Sequence, residues 1–199
     1  MSEAEPTGKA ATQERILAAA TPLFVEQGYD RTTMQQVADE AGVSRATVFW
    51  HFSEKAAVFR ECFSRVLRPF FDSLERDLSD VPPAERLEAR LDASEQFARE
   101  HRTEITAFVG WAVESEDFRE HVINVLLDLN QRFSQAIAEA IEALDPAGHD
   151  AKRLALGIVL AFDANLILSL FDGNERRAGE RAAAVSALTG VVERLSARR

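Results

Sequence analysis

The residues able to do chemistry in this sequence are few, and most stand alone. Four histidines (His51, His101, His121 and His149) are too scattered for metal-ligand spacing, and the single cysteine, Cys62, belongs to no motif. No GxSxG elbow, glycine-rich phosphate loop or GxGxxG turn occurs, so enzymatic turnover has no visible apparatus and no cofactor or metal is expected. The one dense constellation is AGVSRATVFWHFSEK, residues 41–55. A glycine turn is followed there by hydroxyls (Ser44, Thr47), cations (Arg45, Lys55), a histidine (His51) and three rings (Phe49, Trp50, Phe52). Hydroxyls and cations at a helix start suit an anion. The rings are expected to brace a helix too short to be stable alone.

Two helices must position that chemistry. Ala38 is small where their axes would cross, Gly42 supplies a left-handed turn four residues later, and Val48, six further on, returns an apolar knob. Val37 and Val43 complete the apolar inside. On a helix starting at Arg45, Val48 faces inward and Phe52 continues the buried side. Arg45, Ala46, Thr47 and Phe49 are left around an outer face open to a DNA groove. Thr33 and Gln36 form a Thr-x-x-Gln capping box for the first helix of the pair, and Ser44 caps the second, which makes a helix-turn-helix over about 33–52.

The remaining elements read as helices too. Ile16, Leu17, Ala20, Leu23 and Phe24 stripe a first helix that stops at Gly28. Pro22 falls inside it, where an interior proline costs about 3 kcal/mol, and the sequence offers no account of its accommodation. Ser53 caps a long fourth helix carrying Val58, Phe59, Phe63, Val66, Leu67, Phe70, Phe71 and Leu74, with Pro69 marking a kink. Helices over about 84–101, 103–115, 118–144, 150–171 and 180–197 follow. The predicted fold is all-α: a three-helix module joined by the long fourth helix to a five-helix bundle. Its divisions are a disordered tail (1–11), a helix-turn-helix domain (12–60) and a second domain (61–199).

Bulk charge argues against a general nucleic-acid binder. The formal net charge is −10, and residues 1–62 hold six Lys/Arg against nine Asp/Glu, so any attraction to DNA must come from a few placed groups. With one cysteine and no Lys/Arg-then-apolar opening stretch, a reducing cytoplasm is the expected compartment. The apolar run Leu154–Phe171 has Asp163 and Asn165 at its centre, which favours a buried helix over a membrane span.

The run TQERILAAATPLFVEQGYDRTTMQQVADEAGVSRATVFWHFSEKAAVF (12–59) resembles the N-terminal domain of the tetracycline-repressor (TetR) family of bacterial transcriptional regulators. The likeness lies in the LF and GY of the first helix, Thr32-Thr33, the AGVS turn, and HF-S-x-K after the second helix of the pair. It implies phosphate contacts from Thr33, Phe49, His51 and Lys55, and base contacts from Arg45, Ala46 and Thr47 beside the Ser44 cap. His51 is open to a second reading, as a packed histidine beside the rings. The family commonly has tyrosine where this chain has Phe49, so a hydroxyl bond to phosphate is missing. The partners the resemblance implies are operator DNA, a small-molecule effector and a second copy of the chain, with no membrane.

The second region supplies candidates for the last two partners. Val185, Leu188, Val192 and Leu195 follow a 3-4-3 spacing, and Leu154, Ile158 and Ala161 lie on the apolar helix before it, so a dimer through residues about 150–197 is expected. Phe63, Phe97, His101, Phe108, Trp111, Phe133, Phe162 and Asn165 are expected to line an effector pocket suited to an apolar or aromatic molecule. Asn130 and Asp163 are further polar anchors. Asp163 has three readings: a ligand group, a hydrogen-bond partner across the dimer, or a residue on a wetter face. A ligand or lipid carrier would explain the aromatic residues and leave the Gly42–Lys55 constellation without a role.

Overall fold

Periodicity, caps and glycines translate directly into helices. The computed structural model describes residues 8–114, 116–144 and 150–172, together with 187 and 190. In order the helices are α1 (Gly8–Gln27), α2 (Met34–Ala41), α3 (Arg45–His51), α4 (Lys55–Glu75), α5 (Pro83–Glu100), α6 (Arg102–Glu114), α7 (Glu116–Leu144) and α8 (Ala151–Asp172). Among the described residues there is no strand, and no helix is long and apolar enough to cross a membrane. The fold is all-α, as the sequence predicts. Residues 8–11, expected in a disordered tail, form the first turn of α1. The helix expected over about 180–197, with Val185, Leu188, Val192 and Leu195, lies outside the described residues.

Pro22 sits inside α1 without ending it. Its ring lacks the N–H that would bond the carbonyl of Ala18, but Ala18 and Pro22 are both exposed, so the freed acceptor faces water. The neighbouring Thr21 is buried and donates its hydroxyl to the Leu17 carbonyl at 2.8 Å. Pro69 in α4 is accommodated in the same manner, on an exposed turn of a continuous helix.

The chain divides into two compact units that do not follow its linear order. One unit comprises Met1–Leu67 with Thr103–Val125, and the other Arg68–Arg102 with Leu126–Arg199. The sequence suggested a single break near residue 60. Instead α6 and the start of α7 are packed with α1–α3 and the first part of α4, because the first unit has an aromatic core that needs them. Phe59 lies edge-on to Phe24 (5.2 Å between centroids) and meets Phe108 at 4.9 Å and Phe118 at 4.6 Å. Tyr29 lies 4.5 Å from Phe118 and 6.1 Å from Trp111. Gly28 turns the chain out of α1 at φ 82°, and a Cβ there would stand 2.5 Å from a Trp111 ring carbon. Only glycine satisfies both the backbone angle and that contact.

The second unit has its own ring cluster. Phe70 stacks on Phe97 at 5.0 Å and meets Phe133 edge-on at 5.6 Å; Phe133 in turn meets Phe162 at 5.4 Å. Arg90 on α5 is almost buried, and it donates to the carbonyls of Ser73 (2.6 Å) and Arg76 (2.7 Å), closing the C-terminal end of α4.

Gly28→Ala should cost about 1–3 kcal/mol through strain at a left-handed position, seen as a lowered Tm in circular dichroism melts. Gly110→Ala is the control: it is helical with open space around it, and should be neutral or stabilising by up to about 1 kcal/mol. Equal melting of Gly28→Ala and wild type would contradict the Trp111 packing. A second expectation concerns His121, whose buried Nε2 has no partner and whose pKa is held below 6.5 by burial first and the Arg60 charge second. The unfolded chain therefore takes the proton more readily, and this contribution to stability is lost as pH falls below about 6.5. Urea midpoints should fall in that range, and His121→Leu should flatten the fall.

Candidate nucleic-acid interface

The α2–α3 pair is closed at every backbone end. The Thr33 hydroxyl accepts from the Gln36 N–H (3.2 Å), while Gln36 Oε1 accepts from the Thr33 N–H (2.8 Å), the complete capping box. At the other end of α2, Gly42 adopts φ 62° and ψ 40°; its N–H bonds the Asp39 carbonyl at 3.2 Å, and Val43 N–H returns to Ala38 at 3.0 Å. Arg15 reaches over from α1 and donates through Nη2 to the carbonyls of Ala41 (2.7 Å) and Gly42 (3.2 Å). Ser44 then starts α3 by accepting from the Thr47 N–H at 3.0 Å. The turn is thereby held from both sides.

Within α3, Val48 is fully buried and Phe52 nearly so, as expected. Phe49 keeps to the outer face where its helix position puts it, and Trp50 departs from expectation. Phe49 is 41% exposed and Trp50 66% exposed, so neither braces the helix. Val48 and Phe52 hold it, and the two rings stand outward. The physical reason is angular: at 3.6 residues per turn Trp50 lies roughly 200° around the helix from both buried residues, on the opposite side. The sequence contained that angle, but the density of rings suggested a buried cluster.

The predicted contact residues gather here. Thr33, Ser44, Arg45 and Ala46 are exposed, and Thr47 and His51 half-buried. The Arg45 guanidinium lies over the Phe49 ring at 5.3 Å, and His51 stands edge-on to Trp50 at 4.8 Å. The Thr33 and Ser44 hydroxyls are both engaged in caps, so the exposed helix starts present backbone N–H groups beside them. Lys55 is used differently from expectation. Its ammonium donates to the carbonyl of Tyr29 (2.7 Å) and lies 4.1 Å over that residue's ring, and burial lowers its pKa while the Asp30 charge opposes the shift. Lys55 thus ties α4 to the α1–α2 connection. Residues the sequence reading passed over are Arg15, Trp50 and Lys9, whose ammonium lies 4.8 Å over the Trp50 ring. Only Trp50 had a readable signal; the other two act across long stretches of chain.

The eight residues expected to line one pocket divide between the two units. Phe63, Phe108 and Trp111 belong to the first unit and Phe97, His101, Phe133 and Phe162 to the second; the Asn165 side chain is outside the description. Phe63 and Phe108 are buried against one another, 5.4 Å apart, as core. A cleft of about 530 Å³ in the first unit takes only Trp111 from the set, beside Glu26, Asp30, Arg31, Thr106 and Gly110. In the second unit, Asn130 donates to the half-buried Asp163, whose pKa burial raises. Of the residues expected to pair two chains, Ile158 is buried within its own chain and Leu154 half-buried, which removes Ile158 from any surface. Ala161 is exposed, and beside it stand Leu160 (56% exposed) and Leu156 (48%).

If Lys55 is chiefly an internal tie, Lys55→Ala should lower stability by about 1–2 kcal/mol in urea denaturation, the scale of charge-assisted hydrogen bonds. Unchanged stability would return Lys55 to a purely external role.

Comparison with known proteins agrees with this geometry. The family model described as bacterial regulatory proteins, tetR family, matches residues 16–62. The HTH-type transcriptional regulator YerO of Bacillus subtilis is 24% identical over 156 residues, 75% of this chain and 54% of its own length. The HTH-type transcriptional regulator TtgW of Pseudomonas putida is 31% identical over 131 residues, 63% of this chain and 91% of its own. A TetR transcription regulator from Haloarcula marismortui superposes with a TM-score of 0.77 at 18% identity, covering 91% of this chain and 97% of that one, which speaks to fold. The chain belongs to the TetR family of helix-turn-helix regulatory proteins.

Proposed function

We propose that the chain is a sequence-specific DNA-binding repressor that acts as a homodimer and leaves its operator when a small effector binds. The carrying observation is α3: a seven-residue helix, capped at its start and held by Val48 and Phe52, with Arg45, Ala46, Phe49 and Trp50 exposed on its free side. Its first turn supplies Arg45 for a guanine edge and the Ala46 and Thr47 methyls for thymine. The exposed N-terminal turn of α2 supplies backbone amides for phosphate.

One such helix makes few contacts, and two copies about 34 Å apart would read successive major grooves. Leu156, Gly157, Leu160 and Ala161, all exposed along α8, are suited to close packing against a second chain. The effector reading is supported in the second unit by the Phe133–Phe162 pair next to a half-buried carboxylate, Asp163, already served by Asn130. An apolar or aromatic molecule carrying a hydrogen-bond donor fits that chemistry. Release then follows as a population shift: the effector favours a state of the dimer in which the two α3 helices no longer match the grooves, and only its differential affinity for the two states does the work. Because α6 abuts Gly28 through Trp111, any displacement of α6 is felt at the end of α1.

Mobility shift with the chain's own upstream DNA tests the central reading. A specific duplex should compete better than random DNA at about 150 mM salt, and the absence of any such preference would refute it. Arg45→Ala should cost about 1–3 kcal/mol of specific binding and relax one base position. Leu160→Glu should yield monomers by light scattering; an unchanged dimer mass would rule out the α8 face.

A further inference from the structure

Lys9 and Trp50 are far apart in sequence, yet the structure sets the Lys9 ammonium 4.8 Å over the Trp50 ring. Both residues are exposed. We propose that this pair is a second DNA-gripping element, in which the first turn of α1 adds a cation for the sugar–phosphate backbone and Trp50 both holds it and packs against the same backbone. The inference rests on the regulator reading above and adds to it a contact from outside the helix-turn-helix.

Three observations carry it. First, Trp50 lies on the outer side of α3 and leaves more of its surface open than any other large apolar side chain among the described residues. A tryptophan so placed is either an unprotected surface or a contact. It lies one turn beyond the N-terminal residues that address base edges, so it falls at the wall of a groove, beside the backbone. Its indole N–H is a donor without an acceptor role, suited to a phosphate oxygen.

Second, the cations of the first unit are otherwise committed. Arg15 donates to the carbonyls of Ala41 and Gly42, Arg31 to that of Gln27, and Lys55 to those of Tyr29 and Asp30. Arg60 and Arg65 pair with Glu54 and Glu14, and Arg119 donates to the Ala112 carbonyl. Lys9 and Arg45 differ: among the described residues their partners are rings, Trp50 and Phe49. A ring orients a cation without using its N–H donors, so these two groups keep their donors as well as their charge for phosphate.

Third, the chain as a whole carries a formal charge of −10. In such a field Lys9 of α1 and Arg45 of α3, each held over a ring of α3 with its N–H donors unspent, are a local exception, and they offer the backbone attraction that bulk charge does not.

The test uses the full-length protein, the duplex that wild type selects from a random pool, and a scrambled duplex of equal length. The slope of log affinity against log salt should become shallower by about 0.9 in Lys9→Ala and be retained in Lys9→Arg. Trp50→Ala should weaken both duplexes by the same factor, about three- to fivefold. In the Trp50→Ala background, Lys9→Ala should have little further effect. Both residues are exposed, so circular dichroism melts of the variants should match wild type. An unchanged salt slope in Lys9→Ala, with Arg45→Ala still impairing the selected duplex, would overturn the grip and leave the regulator reading standing. Loss confined to the selected duplex in Trp50→Ala would make Trp50 a base reader and also overturn it. If wild type selects no sequence, both readings fall.

Discussion

A helix of seven residues has too few internal hydrogen bonds to survive in water, and everything functional about α3 depends on the burial that holds it. Val48 is fully enclosed and Phe52 nearly so, and the α2–α3 turn is fastened by the left-handed Gly42 and by Arg15 across its carbonyls. With its inner side fixed and both ends capped, the helix has a single orientation, and its outer residues are presented as a group. Loosening any of these holds would disperse the proposed contact residues without touching one of them.

The fastening extends further into the chain than a helix-turn-helix alone requires. Lys55 locks the start of α4 to the α1–α2 connection, while Trp111 abuts Gly28 and Tyr29 packs between Phe24, Phe59 and Phe118. Rings contributed by α6 and α7 are thus part of the same core as α1. For a regulator this has a consequence: the unit bearing the recognition helix contains segments that are remote in sequence, and α4 and α7 each supply residues to both units.

The cations show how little charge a placed site requires. Most of those in the first unit are spent on carbonyls and carboxylates that hold the fold together, while Lys9 and Arg45 are held by rings that leave their N–H donors unspent. Attraction to DNA in an acidic chain is then a matter of position, with bulk charge working in the opposite direction.

What the sequence determined by itself was local. The Thr33–Gln36 box, the Ser44 cap, the Gly42 turn and the inward Val48 depend on neighbours within a few residues and on helical period, so their signals survive in one dimension. The all-α class follows from the same periodicity. Tertiary structure alone decided which rings share a core, because a phenylalanine at helical spacing announces burial without naming its partner: Phe108 joins Phe59 and Trp111 joins Tyr29, while Phe97 and Phe133 join Phe70. It likewise turned Lys55 inward, removed Ile158 from the surface, and brought Lys9 to Trp50. Those outcomes depend on packing between segments distant along the chain, where composition and spacing carry no distance information.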